Sequence, residues 1–370
     1  MYDCHWMVSL TTLVREKGST GNCISESPIE IFDLMVRVVN TIQITMTQKI
    51  AVIGAGMAGL TAAKILSQKG FSVDVFDKGR GVGGRMSSRR TKWGYLDHGC
   101  QYFTLKDPLF KEFLQEYDSL ITVWKGRFFT WLEGNFQRIT EEKYRYLPTV
   151  RMNNLCRQMA SEANIALQTP IVSLTRENEQ WILIDDQSSC YGGYDWVIVT
   201  APPRQTYDLI KNHSQIAEEV AAFEMYPCYS LMLVMAEERD FGFEGIQLQH
   251  PILGWIGVNS SKPERETQLS LVIQSNFDWA LMNLEGDRTL IAEIMKKETK
   301  EVLSWDLEGI LYESLHLWRY ALPKSANLQG YYLDGEKKLA ICGDWCLSGK
   351  VESAFLSAYS LVRSIFLIPN

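Results

Sequence analysis

A strand, a glycine-rich turn, a helix and a second strand follow one another in residues 49–77, and this order limits the fold more than any other feature. The apolar, β-branched run at 50–53 predicts a buried parallel strand. Gly54, Gly56 and Gly59 follow it with the spacing G-x-G-x-x-G. Because all parts of the unit occur in sequence, they predict a Rossmann-type dinucleotide-binding domain.

Each part of this unit has a mechanical role in binding a dinucleotide. A helix predicted at 60–69 begins at the turn, so its free N–H groups and partial positive charge would face the phosphates. Gly70 ends that helix. The strand predicted at 72–76 leads to Asp77, whose carboxylate can accept hydrogen bonds from an adenosine ribose. The predicted cofactor contacts in this unit are Gly54, Ala55, Gly56, Met57, Ala58, Gly59, Asp77 and Lys78.

The loop at 78–90 follows Asp77 directly and contains four glycines and four arginines. Its Gly83-Gly84-Arg85 run is typical of the second phosphate clasp of FAD enzymes, whereas a nicotinamide-binding fold would continue with another helix crossover. A flexible surface loop is the alternative. We therefore expect FAD rather than NAD as the tightly bound cofactor. No cysteine is clearly a flavin anchor, which predicts non-covalent binding.

Composition excludes several classes of protein. The net charge of −7 argues against general nucleic-acid binding. No apolar run approaches the roughly 18 residues that a membrane span needs. The eight cysteines show no C-x-x-C spacing, and no histidine cluster accompanies them. These features predict reduced thiols, a cytoplasmic location and no metal site.

The 370-residue chain is long enough for two domains. Residues 1–45 do not fit the pattern that follows, and Met46 stands just ahead of the first strand. We expect an N-terminal extension that is disordered or lies upstream of the true start.

The remaining pattern predicts an α/β fold with two interleaved domains. The predicted FAD-binding domain is a discontinuous Rossmann-type domain of residues 46–105, 146–210 and 336–370. The predicted substrate domain is an inserted α+β domain, built on an antiparallel sheet, of residues 106–145 and 211–335. Strands of the first domain are predicted at 165–173, 181–185, 194–201 and 338–342. The second sheet is predicted to contain a hairpin at 121–139 and strands at 228–236, 252–258, 268–274 and 315–322. Helices are predicted at 110–117, 151–163, 203–210 and 285–303, and from Val351 onward.

Several segments, in a fixed order, resemble renalase. They are the opening G-x-G-x-x-G, DKGRGVGGRMSSRR at 77–90, LDHGCQYFT at 96–104, PCYSLML at 227–233, HLWRYA at 316–321 and GDWCLSGKVESAFLSA at 343–358. The chain is most similar to the bacterial branch of that family, within the FAD-dependent amine-oxidase-like group. The resemblance runs from Met46 to the C-terminus, and Cys100 departs from it where a small Ala is expected.

The resemblance implies an activity. Renalases take a hydride from isomers of dihydro-NAD(P) in which the hydride sits at the wrong ring carbon. FAD accepts it, and molecular oxygen takes the electrons to give hydrogen peroxide and NAD(P)⁺. Such a transfer needs little acid–base help, and we predict no catalytic side chain with certainty. The alternatives are an amine oxidase acting on a small amine, and a flavin-binding sensor or scaffold without turnover.

The resemblance also implies further cofactor contacts. Asp344 would accept hydrogen bonds from the ribityl chain, and Arg85 would meet the pyrophosphate. The helix that opens at Val351-Glu352 would point its positive end at the flavin ring. The other predicted cofactor contacts are Gly84, Gly99, Gln101, Val172, Gly343 and Ala354.

A flat substrate ring must stack on the flavin, so aromatic side chains of the second sheet are candidates for its pocket. The candidates are Tyr229, Trp255, Trp279, Trp318 and Tyr320. His316 and Arg319 could meet a substrate phosphate or ribose, although a structural ion pair is an equal alternative for Arg319. His98 is predicted to be structural.

Overall fold

The computed structural model describes residues 48–140, 143–265 and 268–366. The predicted extension, with Met46, lies outside the described residues. The strands are β1 Lys49–Ile53, β2 Ser72–Asp77, β3 Arg89–Thr91, β4 Gly94–Leu96, β5 Ile121–Val123, β6 Phe128–Leu132, β7 Asn135–Arg138, β8 Tyr146–Pro148, β9 Asn164–Leu167, β10 Ile171–Glu177, β11 Gln180–Asp185, β12 Cys190–Tyr194, β13 Trp196–Val199, β14 Met225–Met235, β15 Gly245–Gln249, β16 Leu253–Val258, β17 Ser270–Ser275, β18 Ile310–Pro323, β19 Tyr331–Asp334 and β20 Leu339–Cys342.

Helices connect and cover these strands. They are α1 Met57–Gln68, α2 Pro108–Gln115, α3 Asn154–Ala160, α4 Pro203–Ile210, α5 Ile216–Ala221, α6 Phe277–Met282, α7 Arg288–Leu303 and α8 Val351–Phe366. Side-chain caps set several helix starts. Asp107 Oδ1 accepts a hydrogen bond from Leu109 N, and Asp287 Oδ1 accepts one from Leu290 N, each at 2.8 Å. The Asp287 cap explains why α7 begins three residues later than predicted.

The first sheet has the order β19-β20-β13-β1-β2-β9, with parallel pairing except between β19 and β20. Its central strands are buried and apolar, as expected for strands covered on both faces. Helices α1 and α8 contribute side chains to one shared core on this sheet, including Leu60 and Phe355. The predicted buried strands at 50–53, 194–201 and 338–342 therefore meet in one parallel sheet.

The second sheet has the order β18-β14-β17-β16-β15-β6-β7. Its pairing is antiparallel except between β15 and β6. The hairpin predicted at 121–139 is present only as β6 and β7, because residues 121–123 form β5, which pairs with β8 in a separate two-stranded sheet. Leu132 pairs with Asn135, so Glu133 and Gly134 form a two-residue turn with φ of 48° and 82°. Positive φ at both positions matches the twist of the flanking strands.

Some predicted elements are wrong. The strand predicted at 165–173 is two strands, β9 and β10, because Gln168 takes a φ of 55° and Pro170 lacks an N–H for continued pairing. β9 joins the first sheet, and β10 pairs with β11 in a separate three-stranded sheet. The helix predicted at 151–163 is shortened to α3. The strand predicted at 194–201 begins only at Trp196, because β12 ends at Tyr194.

The predicted domain boundaries also differ from the packing in two places. Helix α2, assigned to the substrate domain, packs on α8, with the Phe110 and Phe355 ring centroids 5.1 Å apart. Strand β19, also assigned to the substrate domain, is the edge of the first sheet. Elsewhere, the boundaries stay a prediction.

A fully buried ionic cluster joins the loop after β4 to the segment after β16. Asp97 Oδ2 accepts hydrogen bonds from Lys262 Nζ at 3.1 Å and from Arg265 Nη2 at 2.9 Å. Ser88 Oγ and Met152 N donate to Asp97 Oδ1 at 2.6 and 3.0 Å. The side chains of Asp97, Lys262 and Arg265 are 0% exposed. Three segments distant in sequence are therefore held at one carboxylate.

Charge keeps this carboxylate ionised. Burial alone would raise the pKa of Asp97, yet the charges of Lys262 and Arg265 hold that pKa well below its usual range. Burial lowers the pKa of Lys262, and the charge of Asp97 opposes this effect. Removing the carboxylate charge would leave two buried cations without their counterion.

We expect Asp97→Asn to lower the free energy of unfolding by about 3–5 kcal/mol, the usual cost of breaking a buried ion pair. Because the folded-state pKa of Asp97 is depressed, its contribution is present above the unfolded pKa of about 3.9 and is lost as the pH falls toward the folded value. The loss in Asp97→Asn should therefore be constant from about pH 5 to pH 8. Urea unfolding measures it, with the exposed Asp306→Asn as the matched control. A loss of about 0.5 kcal/mol or less, the size of ordinary surface changes, would contradict this role.

Candidate functional site

A cleft of about 2070 Å³ runs along the carboxyl ends of the parallel strands. One wall is formed by the glycine-rich loops that follow β1 and β2, and the other includes residues 316–322 of β18. Ligand pockets usually have about 300–1,000 Å³. This cleft is therefore large enough for more than one ligand of ordinary size.

The first glycine turn connects β1 to α1 with very close packing. Gly54 has a φ of +117°, and a Cβ on Gly59 would lie 1.9 Å from the Gly54 carbonyl oxygen. Gly56 differs, because a Cβ there would meet nothing within 4 Å. Gly56 is also the N-cap of α1 and provides no side-chain cap. The first N–H groups of α1 are therefore free to bind an anion at the cleft wall.

Asp77 ends β2 and holds both sides of this turn. Its Oδ2 accepts a hydrogen bond from Ala55 N, and its Oδ1 accepts one from Gly79 N, each at 2.6 Å. The side chain also lines the cleft. Each carboxylate oxygen has a second lone pair for a ligand hydroxyl.

The second glycine loop lies against the first. Gly83 N donates to Ala55 O at 2.8 Å, and a Cβ on Gly84 would lie 3.5 Å from Gly56 Cα. Gly83 and Gly84 have φ values of +113° and +51°, which favour glycine. The two loops form one continuous wall of backbone groups.

Arg85 and Asp344 form an ion pair across the cleft wall. Arg85 Nη1 donates to Asp344 Oδ2 at 2.8 Å, and Nη2 donates to Oδ1. Arg85 Nη1 also donates to Ala321 O of β18 at 3.3 Å. The two residues predicted to bind different parts of the cofactor thus neutralise each other, and their predicted cofactor contacts stay predictions.

The start of α8 forms the adjoining part of the cleft. Glu352 Oε1 accepts hydrogen bonds from Lys106 N and Asp107 N at 2.7 and 2.8 Å. Gly343 N donates to Ser357 Oγ at 2.9 Å. Glu352 therefore fixes the loop before α2 in addition to lining the cleft.

The structure brings most of the predicted cofactor residues to the cleft. Those that line it are Gly54, Gly56, Met57, Ala58, Asp77, Lys78, Gly84, Arg85, Gly99, Val172, Gly343, Asp344, Val351, Glu352 and Ala354. Ala55, Gly59 and Gln101 do not. Gln101 is buried, its Nε2 donates to Asp97 O at 2.6 Å, and its Oε1 accepts from Lys262 Nζ at 3.2 Å. Its side chain serves the ionic cluster.

The substrate candidates divide into two groups. His316, Trp318, Arg319 and Tyr320 of β18 line the cleft. Arg319 also pairs with Glu285, with 2.8 Å between Nη1 and Oε1.

Tyr229, Trp255 and Trp279 do not line the cleft, which corrects the prediction for them. The Tyr229 hydroxyl donates to Asn283 O at 2.7 Å, and its ring lies 6.0 Å from that of Trp279 in the second core. Trp255 packs 6.3 Å from Trp124. Tyr229 of β14 and Trp255 of β16 therefore pack in or against the cores, and Trp279 lies on helix α6 and not on the second sheet.

His98, which is predicted to be structural, lines the cleft. Its ring lies 4.8 Å from His316 and 5.3 Å from Trp318, and Trp318 Nε1 donates to His98 O at 2.9 Å. Burial, followed by the charges of His316 and Arg89, lowers the pKa of His98 to about 3. Burial, with Arg89 and Arg288, lowers the pKa of His316 to about 4. Both imidazoles are therefore neutral at pH 7.

Three further observations concern metal ligands, membrane-spanning helices and cysteines. Within residues 48–140, 143–265 and 268–366, no group of three His, Cys, Asp or Glu side chains could hold a metal ion. The same part of the chain contains no helix that is both long and apolar enough to cross a membrane. Cys342 and Cys346 are both buried at the first sheet.

Residues 52–117 match the family described as "NAD(P)-binding Rossmann-like domain". The chain is 28% identical over 118 residues to the L-amino acid oxidase bordonein-L of Crotalus durissus terrificus, covering 32% of this chain and 22% of that protein. The chain thus spans about a fifth of the length of the curated relatives it matches.

Solved structures share the fold over most of the chain. A proposed protoporphyrinogen oxidase from Exiguobacterium sp. 255-15 aligns with a TM-score of 0.71 and 10% identity, over 87% of this chain and 99% of that one. Cyclohexylamine oxidase from Brevibacterium oxydans aligns with a TM-score of 0.67 and 12% identity, over 86% and 98%. These likenesses and the Rossmann-like match confirm the predicted α/β fold class.

A double-mutant cycle tests the ion pair between Arg85 and Asp344. Each single change to Ala leaves the other charge partly buried without its partner, so we expect the double variant to be less destabilised than the sum of the singles. The coupling should be about 1–3 kcal/mol, as for neighbouring charged groups. Urea unfolding of the flavin-free protein measures it, and the exposed pair Arg204 and Asp208 is the control. Additive losses at Arg85 and Asp344 would show that the pair contributes no coupling energy.

Proposed function

We propose that this chain is an FAD-dependent oxidase that takes a hydride from isomeric dihydro-NAD(P) and yields NAD(P)⁺ and hydrogen peroxide. The observation that carries the proposal is the cleft itself. Two adjoining glycine loops form one wall, and an aromatic strand of a second sheet forms the other. This arrangement suits two dinucleotides, one held as cofactor and one as substrate.

The residues present fit FAD. The uncapped start of α1 and the open space at Gly56 suit a diphosphate. Asp77 is available to an adenosine ribose. Arg85 would meet the diphosphate, and Asp344 and the start of α8 would hold the ribityl and ring end. When bound, FAD would accept the hydride and pass the electrons to oxygen.

Non-covalent binding is supported by the chemistry of the cleft cysteines. Cys100 and Cys228 line the cleft. Burial raises the pKa of the Cys100 thiol to about 11 and that of Cys228 to about 12. Both are therefore thiols at pH 7 and poor nucleophiles.

The charge of the cleft favours an anionic substrate over an amine. Arg89 lies near both histidines and lowers the pKa of each, and it has no carboxylate partner within the described residues. A protonated amine would be repelled by this cation, and the low pKa values of His98 and His316 make both imidazoles weak bases for removing its proton. A dihydropyridine ring instead needs a flat surface and correct orientation, which Trp318 and Tyr320 offer.

An amine oxidase is the second candidate, because the fold is shared with cyclohexylamine oxidase and 118 residues are 28% identical to an L-amino acid oxidase. A flavin-binding scaffold without turnover is a third. Turnover with defined substrates separates these readings.

We expect the purified protein to be yellow and to release FAD on denaturation.

Gly56→Val should weaken FAD binding about 10-fold or more, because the valine side chain would fill the space at the start of α1. Loss of one charged hydrogen bond to the diphosphate there costs about 1.5–3 kcal/mol. Fluorescence titration with FAD measures the affinity. Gly335→Val is the matched control, since a Cβ there also meets nothing within 4 Å. Equal affinity in both variants would contradict the cofactor site.

We expect the isomers formed by borohydride reduction of NAD⁺ to reduce the flavin about 100-fold faster than NADH, the size of effect that a misplaced reacting carbon causes. Anaerobic stopped-flow absorbance measures the rate, with benzylamine, putrescine and L-leucine as further reductants. Hydrogen peroxide should then form in equal amount to the isomer oxidised in air. Faster reduction by an amine or amino acid would establish the second candidate, and no reduction by any compound would support the scaffold.

A further inference from the structure

Four arginines form one stretch of the cleft wall. This arginine wall consists of Arg89 and Arg90 of β3, Arg151 just before α3, and Arg157 within α3, and all four line the cleft. Arg90 and Arg157 are exposed, whereas Arg89 and Arg151 are half-buried. The concentration of positive charge contrasts with the net charge of −7 for the chain.

Tyr95 organises the wall. The β3–β4 hairpin places Tyr95 opposite Arg90. The Arg151 guanidinium lies 4.6 Å from the centre of the Tyr95 ring, and its Nη1 donates to the Tyr95 hydroxyl at 2.9 Å. The hairpin and the segment before α3 are thus held together with their arginines on one side of the cleft.

The charges of the wall are not compensated by the protein. None of the four arginines has a carboxylate within 4.0 Å in the part of the chain that the structure describes, although Arg85 nearby has Asp344. The Nε atoms of Arg89 and Arg151 are buried and have no hydrogen-bond partner among the described residues. Burial, with the charges of Arg157 and Arg90, lowers the pKa of Arg151. Like charges held together without counterions are expected where an anion binds.

The arginines of the wall differ from the groups that would hold the FAD diphosphate, which are backbone N–H groups of the first glycine turn and the second glycine loop, together with Arg85. Asn153 Nδ2 donates to Val82 O at 3.0 Å, so the start of α3 packs on the second loop. The wall therefore adjoins that loop where both line the cleft.

We propose that the arginine wall is a phosphate-binding subsite for the nucleotide half of a dinucleotide substrate. One guanidinium group can donate two parallel hydrogen bonds to the oxygens of a phosphate. Several guanidinium groups together can therefore bind a diphosphate. This inference rests on the proposed function, since the substrate with such a diphosphate is dihydro-NAD(P). The wall anchors the end of the substrate remote from the reacting ring.

Calorimetric titration of the flavin-saturated protein with ADP tests the subsite, because the bound flavin blocks ADP from the cofactor site. We expect Arg90→Gln and Arg157→Gln each to weaken ADP binding about 10-fold, as loss of a charged hydrogen bond does. Higher sodium chloride should weaken binding to the unmodified protein more than to the variants. Arg138→Gln, an exposed change on β7, is the matched control and should bind ADP normally.

The same variants should keep their full flavin content and the limiting rate of flavin reduction by the isomers, while KM rises. No ADP binding by the unmodified protein, or equal binding by all variants, would overturn the subsite even if the isomers are oxidised. Loss of flavin from the wall variants would assign the arginines to the cofactor and also overturn it. ADP binding that depends on the wall, in a protein that does not oxidise the isomers, would uphold the subsite and reject only the proposed reaction.

Discussion

The cleft depends on a carboxylate that no solvent reaches. Asp97 follows a short hairpin and binds two cations, Lys262 and Arg265, from the connection between β16 and β17 of the second sheet. Three charges in a dry interior are stable only while all are present and well oriented. The cluster therefore fixes the position of the loop at 98–102 relative to the second sheet. Because His98, Gly99 and Tyr102 line the cleft, the same contacts set the distance between its walls.

A second ionic contact acts at the other end of that loop. Arg85 links the second glycine loop to Asp344 and to the backbone of β18. A Cβ on Gly99 would lie 2.0 Å from the Arg85 carbonyl oxygen, so the loop and this contact are packed together without room for a side chain. The glycine loops, the aromatic strand and the start of α8 are thereby held as one frame around a ligand.

Local sequence patterns predicted the first glycine turn and the strands on either side of it well. The glycine spacing, the strand before it and Asp77 after it all act within thirty residues, so the periodicity and turn chemistry of the sequence determine them. The contact between Arg85 and Asp344 spans 259 residues and has no local signal. The same limit applies to Tyr229 and Trp255, because an alternating strand pattern does not say which face meets the core. Arg151 and Arg157 have no local signal either, because Arg151 reaches the cleft through its contact with Tyr95 and Arg157 through the packing of α3.

The order of strands in the first sheet has a consequence for biosynthesis. The central strand β13 lies between β1, which emerges early from the ribosome, and β20, which is among the last strands to be translated. Until β20 arrives, β13 has an apolar, unpaired edge, a surface that other chains can pair with. Long-range parallel pairing is also intrinsically slow. A nascent chain of this architecture would therefore depend on chaperones during the interval in which the second sheet is made, and premature termination before residue 339 would leave an aggregation-prone fragment rather than a smaller folded protein.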